Sequence, residues 1–378
     1  MSAASLSSKF SEVFGRPAEV CASAPGRANI MGEHVDYNDG MVLPFAIGFR
    51  TTVWAAKRSD SKLRIASLQK PGEVREYDLG ALAPQEDWSD YAAGVAKVLG
   101  VETGLDLLID GQVPTGAGLS SSAALECATA VALNELLDLG RQPLDLALAA
   151  QAAENGFVGM PCGLMDQAVS MLATDAHALL FDCRSLETEQ IPLELEQAGL
   201  SFLVTDTRAH HALVDGGYAT RRASCEAVAA ALGVKALRDV SLETLRGHEA
   251  ELDGVSFRRA LHIVTDIARV DSAVAALRAG DFELLGRLLN ESHASLRDDF
   301  EISCPELDVA VESAVAVGAL GSRMIGGGFG GSAIALVPTA LLPAARQSIT
   351  EAFAASGFTE PRFFVATAAQ GARLEALA

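Results

Sequence analysis

Two domains, each combining helices and strands, are what this sequence predicts, and three observations carry the prediction. At 378 residues the chain is longer than one hydrophobic core usually serves. Apolar residues make up 49% of it, enough to fill two cores. Segments that alternate in polarity, at 50–56 and 62–67, suggest an antiparallel sheet. In contrast, 123–137 reads as a buried helix, apolar nearly all round, and 221–296 as largely helical.

The charge balance narrows the partners. A net charge of −20 repels nucleic acid and anionic membrane surfaces, so neither is expected as a partner. A small anionic ligand would need a locally positive pocket, which directs attention to arginines beside glycines. The six cysteines (Cys21, Cys127, Cys162, Cys183, Cys225, Cys304) are scattered without Cys-x-x-Cys or zinc spacing, so free thiols in a reducing cytoplasm are expected. Residues 1–17 carry no apolar signal region, and no apolar run is long enough to span a membrane.

In chain order, 19–23 reads as a short strand delivering the densest polar cluster of the sequence. Within 24–40, Arg27, Glu33, His34 and Asp36 stand between glycines, and an apolar run at 41–47 follows. A solvated loop is the plain alternative. A loop tethered by Pro25-Gly26 and an apolar strand can, however, aim several hydrogen-bonding groups into one cleft. Trp88, Tyr91 and Gly94 fall at helical spacing and read as a core-facing stripe. A strand at 105–109 leads to Pro114-Thr115-Gly116-Ala117-Gly118-Leu119-Ser120-Ser121-Ser122, a glycine turn running into three serines and the buried helix. Gly116 and Gly118 can take positive φ and let a ligand approach the backbone. A helix start also offers free N–H groups and a positive dipole end. The stretch reads as a phosphate cradle, with an ordinary loop-to-helix connection as the alternative. It lacks the Gly-Lys-Ser/Thr ending of a Walker A loop and the third glycine of a dinucleotide fingerprint.

The helix at 143–155 carries Glu154 near its end. Pro161 and Gly163 make a turn, and the periodicity of Ala168, Val169, Met171 and Leu172 starts a helix. Asp166 falls in its first turn, where the dipole favours a carboxylate. Capping and catalysis are both open for it on these grounds. After a strand at 178–181, the polar stretch 185–200 marks the domain boundary, giving domains of 1–195 and 196–378. A strand at 201–205 leads into a long loop over 206–218, whose His210-His211 pair lacks the spacing of a zinc helix. His248, His262 and His293 read as surface or core residues. Five glycines among the six residues 326–331 cost chain entropy, so close backbone approach to another group is expected there.

Taken together these segments resemble the galactokinase family of the GHMP kinase superfamily, over nearly the whole chain. Gly26-Arg27-Ala28-Asn29-Ile30-Met31-Gly32-Glu33-His34-Val35-Asp36-Tyr37-Asn38 matches the family's sugar signature. Residues 116–124 match the superfamily ATP loop, and 322–331 its third glycine-rich motif. The resemblance implies an α+β fold of two domains, the N-terminal one ribosomal-protein-S5-like with a left-handed βαβ crossover and the C-terminal one ferredoxin-like, with the active site between them.

It also implies ATP-dependent phosphorylation of the C1 hydroxyl of α-D-galactose, with ATP and Mg²⁺ as cofactors; a monomer is expected, although the sequence does not settle the oligomeric state. By position, Glu33, His34, Val35 and Asp36 hold the sugar, Tyr218 contacts it from just ahead of Arg221-Arg222, and Gly163 lies close by. Asp166 is the catalytic carboxylate, Arg27 stabilises the transferring phosphoryl group, and Ser122 with Glu154 holds Mg²⁺. Gly116, Ala117, Gly118, Leu119, Ser120, Ser121 and Ser122 bind the phosphates, while Ser67 and the 88–95 helix reach the nucleotide. Val35 and Ile325 stand where the family usually has threonine, so hydroxyl contacts are not expected at either. A kinase for a related sugar such as N-acetylgalactosamine, and a non-catalytic sensor of galactose and ATP, are the alternatives. Intact serines 120–122, Arg27 and Asp166 favour an active enzyme.

Overall fold

The computed structural model describes residues 3–210 and 214–377. Its largest sheet has six strands in the order Arg373–Leu374, Val20–Asn29, Pro44–Lys57, Leu105–Gly111, Lys62–Ser67, Val74–Asp78. Lys62–Ser67 and Leu105–Gly111 pair in parallel, with Leu63 opposite Leu105. A parallel pair requires a crossover, and this one passes through Val74–Asp78 and the helix Asp90–Val98. Helices Ser121–Leu136, Pro143–Ala153 and Met165–Leu172 complete the layer over this sheet. Ten of the sixteen residues of Ser121–Leu136 are buried, many of them alanines that let the helix lie close on the strands.

The polar segment 24–40 is not all loop. Residues 24–29 continue the strand Val20–Asn29, whose register shifts between Pro25 and Arg27. At that irregularity the Arg27 N–H leaves the ladder and donates to the Leu119 carbonyl at 3.1 Å, which ties the sugar signature to the glycine turn. Likewise the alternation at 50–56 is the second half of one fourteen-residue strand, Pro44–Lys57.

A second, antiparallel sheet of four strands runs Gly321–Ile325, Gly330–Pro338, Leu200–His210, Arg362–Ala366. Pro305–Ala316 and Leu342–Ala355 pack beside it. The expected long loop over 206–218 is corrected here. The strand continues to His210 because its backbone pairs with Gly330–Pro338, Asp206 opposite Ser332, and the helix Val214–Ala231 follows. His211 and the side chain of His210 lie outside the described residues. The polar stretch 185–200 also contains a strand, Thr188–Pro192, pairing with His177–Asp182 and burying Ile191.

One feature departs from a simple split at residue 195. Beyond the second sheet the chain crosses back, and Arg373–Leu374 joins the first sheet beside Ala22 and Ser23. Arg50 clamps this return by donating to the carbonyls of Gln370 and Gly371 at 2.7 and 2.9 Å.

Candidate active site

Asp166 sits in the first turn of Met165–Leu172, as expected, but does not cap it. Its carboxylate is engaged elsewhere. Arg27 donates Nε to Oδ1 at 2.9 Å and Nη2 to Oδ2 at 3.0 Å, a bidentate pair, and the Ser120 hydroxyl also donates to Oδ2. The remaining Arg27 nitrogen, Nη1, donates to the Gly118 carbonyl at 2.5 Å. Burial works against the Arg27 charge, but Asp166 and Glu33 outweigh it and raise its pKa. The side chain of Asp166 is 27% exposed against 5% for Arg27, so the carboxylate faces the cleft and the guanidinium forms its floor.

Beside this pair opens a cavity of about 90 Å³ that brings together Arg27, Glu33, His34, Asp36, Gly163, Asp166 and Tyr218. Glu33 Oε1 accepts the Gly326 N–H at 2.9 Å and lies 3.3 Å from Arg323 Nη2. His34 holds a left-handed backbone, φ 62°, with both ring nitrogens engaged. Nε2 lies 3.2 Å from the Gly327 carbonyl and Nδ1 2.8 Å from the Tyr37 hydroxyl. A carbonyl only accepts, so Nε2 carries the proton and the tyrosine donates to Nδ1. Burial lowers the His34 pKa to about 3, so the imidazole is neutral and presents its ring, not a free nitrogen, to the cavity. The Tyr218 ring packs 4.9 Å from it.

Burial first, and the charge of Asp166 second, raise the Asp36 pKa to about 6. Gly163 explains itself against this residue: a Cβ there would stand 1.8 Å from Asp36 Oδ2. Val35, expected to hold the sugar, is not among the residues lining this cavity. Its side chain is fully buried in the core, and its carbonyl accepts the N–H groups of Asn38 and Gly40.

Gly116 and Gly118 take φ of 75° and 70°, the freedom expected of a phosphate cradle. The close approach implied by 326–331 is to this turn. A Cβ on Gly326 would lie 2.9 Å from the Gly118 carbonyl, so the two glycine loops pack backbone to backbone. A cleft of about 490 Å³ runs along them toward Met160, Pro161 and Tyr218. Ala117 and Leu119 are buried, and their carbonyls accept from the Ser332 hydroxyl and the Arg27 N–H.

On the other side of the turn a cavity of about 300 Å³ is lined by Ser67, Lys70, Trp88, Tyr91, Thr115, Ser121 and Ser122, among others. Trp88 and Tyr91 therefore face open space as well as core, and the Trp88 indole N–H is buried without a partner in the protein. Gly94 packs on Phe157 instead.

Ser122 and Glu154 are neighbours, and the hydroxyl works to lower the pKa of the carboxylate. Glu154 begins a π-helical turn, Glu154–Val158, after the helix Pro143–Ala153, and burial followed by the charge of Asp166 raises its pKa. The Gln167 amide holds Glu154 Oε2 at 2.6 Å and Glu126 Oε2 at 3.1 Å. Gln167, Lys70 and Arg323 were not singled out by the sequence. Gln167 adjoins Asp166, but the Glu126 it reaches is 41 residues away, so spacing gave no signal.

Fold and site together define a GHMP kinase. Residues 90–174 match the model of the GHMP kinase N-terminal domain, 273–355 that of the C-terminal domain, and 8–57 the galactokinase galactose-binding signature. A galactokinase of Streptomyces coelicolor is 46% identical over 379 residues, covering 98% of each chain. The crystal structure of Lactococcus lactis galactokinase complexed with galactose aligns with a TM-score of 0.93 at 35% identity, over 98% of each chain. L. major mevalonate kinase, in complex with R-mevalonate, shares the fold at a TM-score of 0.63 and 20% identity, over 92% of this chain and 95% of that one. The chain belongs to the galactokinase family.

Proposed function

We propose that this protein transfers the γ-phosphoryl group of ATP to the C1 hydroxyl of α-D-galactose, giving galactose 1-phosphate and ADP. The observation that carries the reading is the bidentate Arg27–Asp166 pair, set where the 90 Å³ cavity meets the glycine turn. The sugar occupies that cavity, with Asp36 and Glu33 accepting from its hydroxyls, Tyr218 closing one wall, and Gly163 leaving Asp36 its room. The nucleotide occupies the 300 Å³ cavity by Ser67, Trp88 and Tyr91. Its phosphates reach the backbone of 116–122 and the N-terminus of Ser121–Leu136.

Phosphoryl transfer needs positioning and charge neutralisation more than covalent chemistry. Asp166 orients the sugar hydroxyl and takes its proton. Arg27, held by Asp166 and the Gly118 carbonyl, presents its guanidinium to the phosphoryl oxygens. Ser122 and Glu154 fit Mg²⁺, which accepts one or two protein oxygens and otherwise phosphate and water. When bound, that ion supplies positive charge across the phosphate oxygens. Six unpaired cysteines support a reducing, cytoplasmic setting, to which we assign the protein. No helix among the described residues is long and apolar enough to cross a membrane.

A coupled assay of ADP release over a panel of monosaccharides tests the reading. A polar site left unpaired by the wrong epimer discriminates by roughly 10⁴–10⁵-fold, so galactose should far outrun glucose. Equal rates on the two would overturn it, and faster turnover of N-acetylgalactosamine would move the substrate to that sugar. Binding of both ligands without ADP release would make the protein a sensor.

A further inference from the structure

Arg323 lies on the strand Gly321–Ile325 with no exposed surface, among the largest fully buried side chains of the molecule. A buried guanidinium is costly unless its charge is met. Here Nη1 donates to the Ile30 carbonyl at 2.9 Å, and Nη2 stands 3.3 Å from Glu33 Oε1, the same oxygen that takes the Gly326 N–H. Two residues of the long helix Gly254–Ala279 act alongside it. Asp266 Oδ2 accepts the Gly32 N–H at 3.2 Å, and His262 Nε2 lies 3.3 Å from the Glu33 carbonyl. Ile30, Gly32 and Glu33 are thus each held by a group from the second half of the chain.

We propose that Arg323 is a positioning residue of the sugar site, one that fixes the Glu33 carboxylate and the backbone before it, so that packing of the second half sets the geometry of the sugar signature. The inference rests on the reading of Glu33 as a sugar contact. Glu33 Oε1 accepts the Gly326 N–H and is ion-paired with Arg323 Nη2, which itself makes no hydrogen bond among the described residues, so the two together hold the carboxylate and the direction of its other oxygen. Burial pushes the Glu33 pKa up, and Arg323 is the largest influence opposing it. A buried ion pair that merely fills the core can be replaced by apolar residues at little cost, whereas one that aims a binding group cannot.

The test is calorimetry of galactose and of a non-hydrolysable ATP analogue on the full chain and its variants, below their melting temperatures. Arg323→Met should weaken galactose about tenfold or more and the nucleotide analogue less than about twofold. Arg323→Lys keeps the charge but not the fork that reaches both Ile30 and Glu33, and should weaken galactose by roughly threefold. It carries the test if the methionine variant does not fold. Glu33→Gln combined with Arg323→Met should lose less than the product of the two single losses, because an amide needs no counter-charge. Parallel loss of both ligands, multiplicative losses in the double variant, or galactose affinity within about twofold of the parent in both Arg323 variants would overturn the proposal. Failure of the parent itself to bind galactose would instead overturn the sugar reading, and this inference with it.

Discussion

In the sugar pocket the predicted polar side chains already have protein partners: Asp166 with Arg27 and Ser120, Glu33 with Gly326, His34 with Tyr37 and Gly327. Across the glycine turn the cavity by Ser67, Trp88 and Tyr91 is built from backbone, neutral hydroxyls and aromatic faces, with Lys70 as the cation on its wall. Under the proposed function the difference follows from what each side would recognise. Stereochemistry of hydroxyls is read by fixed side-chain acceptors, whereas phosphates and an aromatic base are met by N–H groups, a helix end and stacking surfaces. Single side-chain changes should therefore be severe on the sugar side and mild on the nucleotide side.

The sharpest break of that contrast is Asp166→Ala. Losing a general base costs about 10²–10⁴-fold in rate. ADP release should collapse while calorimetry still detects galactose and ATP, since other segments bind them. Loss of galactose binding along with turnover would mean that Asp166 holds the sugar rather than activating it.

Gly163→Ala should come next. The added methyl overlaps Asp36 Oδ2 at 1.8 Å, so the carboxylate must move, and a displacement near 1 Å can cost about 10²-fold. The loss should fall on kcat/KM for galactose with KM for ATP unchanged. A nearly normal variant would show that Asp36 has freedom the packing denies it.

Glu154→Gln tests the metal. Outer partners of metal ligands are worth about 10–100-fold in affinity, and a direct ligand should match that range. A Mg²⁺ titration should shift by about that factor while galactose binding holds. A titration matching the parent would leave Glu154 a helix residue held by Gln167.

A pH profile separates the two sides further. With its pKa near 6, Asp36 loses its charge as pH falls through that value, so kcat/KM for galactose should drop by about tenfold per unit below it. His34, at about 3, adds no limb there. For stability the sign is opposite. The native Asp36 holds its proton more tightly than the unfolded chain does, so its contribution is full below the ordinary 3.8 and is lost as pH rises through about 6. Asp36→Asn should flatten this component of the stability profile. A kcat/KM flat from pH 7 to 5 would remove Asp36 from the sugar contacts.

Much of this site was legible because the sugar signature packs its polar residues into one short stretch and the glycine turn carries its serines beside it. What stayed hidden depends on distant pairing. Gly163 read as a turn residue, yet only the fold places it against Asp36. Ser120 looked like a phosphate hydroxyl, and its partner Asp166 lies 46 residues on. The strand through 206–210 was obscured by its polar residues, because backbone pairing with Gly330–Pro338 and not apolar alternation sustains it. The return of Arg373–Leu374 to the first sheet involves two exposed residues and leaves no hydrophobic pattern to read.

The smallest expected effect lies at Ser67. Its hydroxyl donates to Gln69 Oε1 at 3.0 Å and accepts the Gln69 N–H at 3.2 Å, so it closes a turn on the cavity wall. Gln69 in turn takes the Gly111 N–H at 2.9 Å and donates to Asp110 at 2.7 Å, and this bracing does not pass through the serine. Ser67→Ala removes a neutral hydrogen bond worth about 0.5–1.5 kcal/mol. Even if all of that fell on nucleotide binding, KM for ATP would rise only roughly 2- to 10-fold. Steady-state kinetics should find the low end of that range, with galactose KM and the Mg²⁺ titration unmoved. An increase beyond about a hundredfold would exceed what one neutral hydroxyl can supply. The nucleotide side would then depend on positioned side chains as the sugar side does, and the contrast between the two cavities would not stand.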